Sequence, residues 1–169
     1  MLLICAHMSQ LRFGPLMEVY AEGLAENGAE FYPHLSTHEQ LLRAEQDFYA
    51  YLQQSFFSQE GDLYCIWEEA GQYRSALRLQ RYQDGLLLEA LETHPSYRCR
   101  GYARQLMQAV LEQLQPTKLY SHISHRNMPS IAVHLQCGFR KISDRARYAD
   151  GSVNARCGTY LYEEKNAGN

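Results

Sequence analysis

Arg98-Cys99-Arg100-Gly101-Tyr102-Ala103 combines residue types that can hold an anion. Behind it Ala103, Leu106, Met107, Val110, Leu111 and Leu114 recur at helical spacing, so a helix starts at or just after Gly101. The first N–H groups of a helix have no internal partner and carry the positive end of the helix dipole, so a turn that aims them outward can hold a phosphate. Gly101 permits a left-handed backbone or close approach of a ligand, and the small Ala103 leaves the backbone beside it accessible. Arg98, Arg100 and Arg104 add positive charge. The stretch reads as a pyrophosphate cradle; taken alone, it reads equally as a surface turn with scattered arginines.

A second stretch narrows that choice. Asn127-Met128-Pro129-Ser130 has the chemistry of a helix start, Gly138 ends the helix, Phe139 follows, and Leu119 to Ser124 before it has strand character. Strand, phosphate turn, helix, strand, Asn-capped helix, Gly-Phe, strand: in this order the chain resembles the GNAT superfamily of N-acetyltransferases. The family's cofactor motif, Gln or Arg, two residues, Gly, one residue, Gly or Ala, is matched by Arg98, Gly101 and Ala103. Its later Asn and Gly-Phe elements are matched by Asn127, Ser130, Gly138 and Phe139. The resemblance is specific from about Leu86 to Phe139 and is carried elsewhere by the order of elements. Where the family usually places a tyrosine, four residues before the glycine, this chain has His134.

The resemblance implies acetyl-CoA as co-substrate, no metal, and direct transfer of the acetyl group to a primary amine through a tetrahedral intermediate. It puts the pyrophosphate on Arg98, Cys99, Arg100, Gly101, Tyr102, Ala103 and Arg104. The pantetheine arm then lies along Leu91, Glu92 and Thr93, where a bulge splays the strand from its neighbour and a strand N–H polarises the acetyl carbonyl. Asn127, Ser130 and His134 line the other side of that arm. Glu92, at the rim of the opening, is the candidate base, with a plain surface glutamate as the other reading; strand alternation points Glu89 to the opposite face. His134 is the candidate acid near the leaving sulfur, or else a packed helix histidine. The first two helices form part of the family's acceptor site, which makes Phe31, Tyr32 and His34 candidate substrate contacts or packing residues. A non-catalytic acyl-CoA sensor or interaction module of the same fold is the rival reading. Cys99 and Cys137 lack a base and an orienting third group, so a thiol nucleophile has little support.

These residues need a scaffold. Met1 to Met8 reads as a strand, Pro15 to Asn27 as a helix closed by Gly28, and Thr37 with Gln40 as a capping box for a helix from His38 to about Phe56. Asp62 to Glu68, Tyr73 to Tyr82 and Leu86 to Thr93 form an antiparallel meander, its breaks at Ala70-Gly71-Gln72 and Gln83-Asp84-Gly85. Arg74 and Arg78 share a face of the middle strand, read as a solvated face or a cofactor phosphate contact. Phe139 to Tyr148 and Gly158 to Glu163 make a closing hairpin around Ala149 to Cys157, a loop placed to border the acceptor site. The expected fold is α/β, with a mixed, mainly antiparallel sheet of about seven strands, splayed between the fourth and fifth, and about four helices. It occupies residues 1–164 as one domain, with a frayed tail from Lys165 to Asn169.

The bulk properties fit a soluble enzyme-sized domain. The chain has 169 residues, 46% hydrophobic and 21% charged, with a net charge of −3, which argues against a disordered chain or a general polyanion binder. The apolar start, Met1 to Cys5, is too short for a signal peptide or a membrane span. Five cysteines at scattered spacings suit reduced thiols in the cytosol. His122 and His125 have a spacing that puts them on opposite faces of a strand, with no carboxylate beside them, so a metal site is the minor reading. The expected partners are a small-molecule or peptide amine, neither nucleic acid nor membrane, with the chain a monomer or homodimer.

Overall fold

The structure is a computed structural model that describes residues 1–164; the frayed tail expected after them lies outside the described residues. The strands β1 (Leu2–Cys5), β2 (Leu63–Glu69), β3 (Gln72–Tyr82), β4 (Gly85–Thr93), β5 (Lys118–Ser124), β6 (Arg140–Ser143) and β9 (Cys157–Glu163) build one sheet. Their order is β1-β2-β3-β4-β5-β9-β6. Every neighbouring pair is antiparallel except β4 and β5, which run parallel. Two short strands, β7 (Ala146–Arg147) and β8 (Val153–Asn154), form a separate hairpin between β6 and β9.

Five helices cover the sheet: α1 (Phe13–Val19), α2 (Ala21–Phe31), α3 (Thr37–Tyr51), α4 (Tyr102–Leu114) and α5 (Met128–Gln136). On one face Leu16, Val19 and Leu24 of α1 and α2, with Leu52 and Phe56 after α3, bury against Tyr64, Ile66 and Ala76. On the other face Leu106, Met107 and Val110 of α4 bury against Cys65, Leu77, Leu79 and Leu88. Each such side chain contributes about 1.5–3 kcal/mol on leaving water, so two stacked layers fix the central strands from both sides. Among the described residues no helix is long and apolar enough to cross a membrane.

Several local expectations are corrected. The first helix is two, broken at Tyr20, and Gly28 lies inside α2 instead of closing a helix. A Cβ on Gly28 would sit 2.5 Å from the Gln40 carbonyl oxygen, so glycine is there to let α2 and α3 approach. Ser36, not Thr37, caps α3: its side chain accepts from the Glu39 N–H, and the Glu39 carboxylate accepts from the Ser36 N–H at 3.0 Å. The first strand stops at Cys5, where the chain turns into a short 3-10 segment, Met8–Gln10. Arg74 and Arg78 do not form a solvated face. Arg74 is buried with its guanidinium 3.7 Å from the Tyr97 ring centroid, and Arg78 lies against Tyr51 and Phe56.

Candidate active site

Strand β4 pairs with β3 along its length but with β5 only through Leu86, Leu87 and Leu88, opposite Leu119, Tyr120 and Ser121. Beyond Leu88 the two strands part, which is the opening expected between the fourth and fifth strands. The bulge lies at Ala90, whose φ of 50° is left-handed. Across it, the step from Ala76 to Arg78 on β3 answers a step from Glu92 back to Glu89 on β4, two residues against three. Side chains directly opposite in an antiparallel pair share a face. Glu89 and Glu92 therefore point to the same face, that of Ala76 and helices α1 to α3, and not to opposite faces as alternation alone predicts. Leu91 turns to the α4 side and packs there.

The Tyr20 hydroxyl donates to the Ala90 carbonyl at 2.7 Å, and the Ser75 hydroxyl donates to the Glu92 carbonyl at 2.6 Å. These bonds clamp the bulge from the helical layer and from β3. The Glu92 side chain remains about half exposed (48%). Its carboxyl is raised above the usual carboxylate range, first by burial and then by the like charges of Glu22 and Glu26 on α2, while Arg98 pulls it down. Arg98 is 2.6 Å from Glu22 and 3.8 Å from Glu92, so it is turned toward these carboxylates.

After a 3-10 turn, Pro95–Tyr97, the chain reaches Cys99 with φ 59° and Gly101 with φ 81° before α4 begins. The first intrahelical bond runs from the Gln105 N–H to the Gly101 carbonyl, and no side chain caps the helix. The N–H groups of Tyr102, Ala103 and Arg104 are thus left without a cap. A Cβ built on Gly101 would meet nothing within 4 Å, so the glycine serves the backbone conformation and faces open space. Cys99 is exposed, the Arg100 guanidinium stands 5.5 Å from the Tyr97 ring, and the Tyr102 hydroxyl donates to Glu69 at 2.6 Å. Free N–H groups at a helix start, beside a glycine that faces open space, are the kind of arrangement that can accept an anion.

On the far side of the opening, Asn127 caps α5, its carbonyl oxygen accepting from the Ser130 N–H at 3.1 Å. The Asn127 side chain is exposed and its amide N–H groups make no hydrogen bond among the described residues. His134 is only 1% exposed. Its Nδ1 is 2.7 Å from the Ser130 carbonyl, which can only accept, so the proton sits on Nδ1 and Nε2 offers a lone pair; Nε2 is sealed and unpartnered. The ring packs edge-on against Phe139 at 4.9 Å, and burial holds its pKa below the usual imidazole value.

Phe31, Tyr32 and His34, the expected acceptor contacts, stand at the far end of α2 from Glu22 and in the connection that follows it. Phe31 lines a cavity of about 230 Å³ between α2 and α3, and the Tyr32 hydroxyl donates to Asp47 at 2.5 Å. His34 is exposed in the connection between those helices. The residues α2 brings toward Glu92 are Glu22 and Glu26, and the helix rise puts Phe31 roughly 14 Å further along the axis than Glu22. His122 and His125 are tied to backbone carbonyls of Arg147 and Asp144, at 3.1 and 3.0 Å. Among the described residues no group of three His, Cys, Asp or Glu side chains is arranged to hold a metal. What sequence reasoning missed is Tyr20, Glu22 and Glu26, brought to Glu92 from a part of the chain distant in sequence, and the placing of Arg78 on the same helical face.

The sequence pattern of the acetyltransferase (GNAT) family matches residues 26–139. Comparison with curated protein sequences found no match. Among solved structures, the chain is similar to the PaiA N-acetyltransferase of Thermoplasma acidophilum in complex with coenzyme A, with TM-score 0.63 and 11% identity over 96% of this chain and 99% of that one. It is also similar to the ribosomal-protein-S18-alanine N-acetyltransferase of Escherichia coli, with TM-score 0.59 and 17% identity over 99% and 97% of the two chains. A third is a spermidine N-acetyltransferase chimera from Vibrio cholerae and hSSAT, with TM-score 0.57 and 16% identity over 96% and 95%. At these identities the likeness concerns the fold.

Proposed function

This chain belongs to the acetyltransferase (GNAT) family, and from that premise we propose that it transfers an acetyl group from acetyl-CoA to a primary amine by direct attack. The observation that carries the reading is the alignment of an uncapped, glycine-started helix with the opening between β4 and β5, at whose edge stands Glu92. The N–H groups of Tyr102 to Arg104 would hold the pyrophosphate, and Asn127 would reach the pantetheine arm with its unused amide. Glu92 takes a proton from the incoming ammonium. The amine nitrogen then bonds to the acetyl carbon while a backbone N–H of Leu91 to Thr93 holds the developing oxyanion. As the carbon–sulfur bond breaks, the nitrogen gives up a second proton and the leaving thiolate takes one up, so the net proton released is the one Glu92 took from the ammonium. Spermidine and an alanine of a ribosomal protein, in the names of two structural neighbours, are amine acceptors of those enzymes, which agrees with an amine here.

The proposal is tested by measuring CoA release across a broad amine panel. Turnover with any amine supports the transferase, whereas tight CoA binding without turnover favours an acyl-CoA sensor.

Two further results are expected. Asn127→Ala should lower stability by about 1 kcal/mol through the lost cap, and should weaken CoA as well; melting and CoA titration of the same sample separate the two, and unchanged affinity leaves Asn127 as a cap alone. His134 can protonate the sulfur only by presenting Nε2–H, which means giving up the Nδ1 bond to Ser130 or becoming a cation that burial opposes. In the proposed role, His134→Phe, which keeps an aromatic ring beside Phe139, lowers kcat by about 10-fold or more with CoA affinity unchanged. A kcat within twofold of the parent assigns His134 to packing.

A further inference from the structure

Arg78 carries a charge that the transfer reaction leaves without a role. Its guanidinium lies under the helical layer, 5.0 Å from the ring centroid of Tyr51 and 5.8 Å from that of Phe56. Its Nε is sealed from solvent without an acceptor, and the side chain makes no hydrogen bond or ion pair among the described residues. Glu89, directly opposite in register, attracts it without forming an ion pair. Arg74 on the same strand shares the unpartnered Nε but has partners for the rest of its charge: it donates to Gln72 at 2.8 Å, lies 3.6 Å from Glu69 and stacks on Tyr97. Arg78 is half-buried, and a cation drawn partly out of water is costly unless something pairs with it, a cost that aromatic faces offset only in part.

The position of Arg78 relates it to the reaction. It opposes Glu89 as Ala76 opposes Glu92, on one face of the sheet, and one strand repeat of about 7 Å separates the two pairs. Tyr20 stands between them, with its hydroxyl on the Ala90 carbonyl and both the Arg78 cation and the Glu92 carboxylate acting on its phenol. This face therefore has the Arg78 cation, with Glu89 opposite it, at one end and the carboxylates of Glu92, Glu22 and Glu26 at the other. Beyond Arg78 along the same strands, on the side away from Glu92, lies a cavity of about 300 Å³ lined by Gln80, Arg81, Tyr82, Leu87, Glu89 and Asp150 but not by Arg78 itself.

We propose that Arg78 binds a carboxylate of the acceptor, and that the acceptor is accordingly an amino acid, its amine and carboxylate joined by a short carbon chain. This rests on the acetyltransferase reading and adds the substrate class to it. The planar guanidinium suits a carboxylate, and the ammonium at the other end is drawn to the carboxylate cluster around Glu92. Arg78 is thus a specificity-determining residue and takes no part in proton transfer.

Matched pairs test this: glycine with methylamine, β-alanine with ethylamine, γ-aminobutyrate with n-propylamine, and 1,3-diaminopropane as the opposite in charge. In the CoA-release assay at least one amino acid is expected to exceed its decarboxylated partner by about 100-fold in kcat/KM, chiefly through KM. Arg78→Gln should bring that ratio to within about threefold of one, and Arg78→Lys should keep part of it. Melting of each variant reports folding, and the wild-type ratio stands even if Arg78→Gln does not fold. Equal kcat/KM within every pair, or a preference for the diamine, overturns the proposal while the acetyltransferase reading survives. If no amine releases CoA, calorimetry on the CoA-saturated protein decides. Amino-acid binding that weakens in Arg78→Lys upholds the Arg78 site and moves the failure to the transfer step, whereas no binding of any of the three overturns it.

Discussion

Gly101→Glu is expected to weaken CoA binding by about 100-fold or more. Two effects add. The φ of 81° at Gly101 is one that a residue with a Cβ adopts at a cost of roughly 1–2 kcal/mol. The new side chain also projects where Gly101 now faces open space, the side from which an anion would approach the N–H groups of Tyr102, Ala103 and Arg104. A carboxylate about 4 Å from a phosphate charge costs about 4 kcal/mol at the effective dielectric near a protein surface, before salt screens it. Gly101→Ala isolates the conformational part, because it strains the turn without adding charge. The expected order of affinity by calorimetry is wild type, then Gly101→Ala, then Gly101→Glu, with the last gap the largest and narrowing at high salt. Equal affinity in all three would place CoA elsewhere and remove the main support for the proposed function.

This turn was legible because its signals are local. A glycine, an apolar repeat and an asparagine two elements later each act through neighbours in sequence, and the splayed pair of strands followed from the resemblance they supported. The opening's own detail was not legible. The bulge falls on Ala90, an alanine at φ 50° with nothing in its type to mark it, and the strain is held by bonds from Tyr20 and Ser75. One residue of bulge reverses the face of everything before it, which is why simple alternation separated Glu89 from Glu92. Arg78 misled for a related reason: a charge on a strand reads as outward, and its partial cover comes from Tyr51 and Phe56, more than twenty residues away in sequence. The α3 cap was misplaced by one residue because Ser36 with Glu39 and Thr37 with Gln40 both satisfy the box. The place of β9 between β5 and β6 is a long-range pairing that no local pattern announces.

Glu92→Gln should lower kcat/KM for the best amine by roughly 100-fold, the usual worth of a positioned base, while leaving CoA affinity within about twofold. The variant keeps the shape of the side chain and removes only its ability to take a proton. The loss should shrink as pH rises toward the pKa of a primary amine, about 10, because free amine then arrives without help. The parent enzyme carries a second signature. The base works only when ionised, so kcat/KM falls at acid pH with a midpoint set by the Glu92 carboxyl in the free enzyme. Burial and the charges of Glu22 and Glu26 raise that carboxyl above its ordinary value, which moves the acid limb upward in pH. Glu22→Gln combined with Glu26→Gln removes two like charges and frees Arg98 from Glu22, so the limb should move down. Arg98→Met removes the opposing cation, and the limb should move up. Opposite displacements from these two variants would tie the acid limb to Glu92. An acid limb that stays put in both belongs to another group, and with an unchanged rate in Glu92→Gln it would mean that the amine reaches the thioester already neutral.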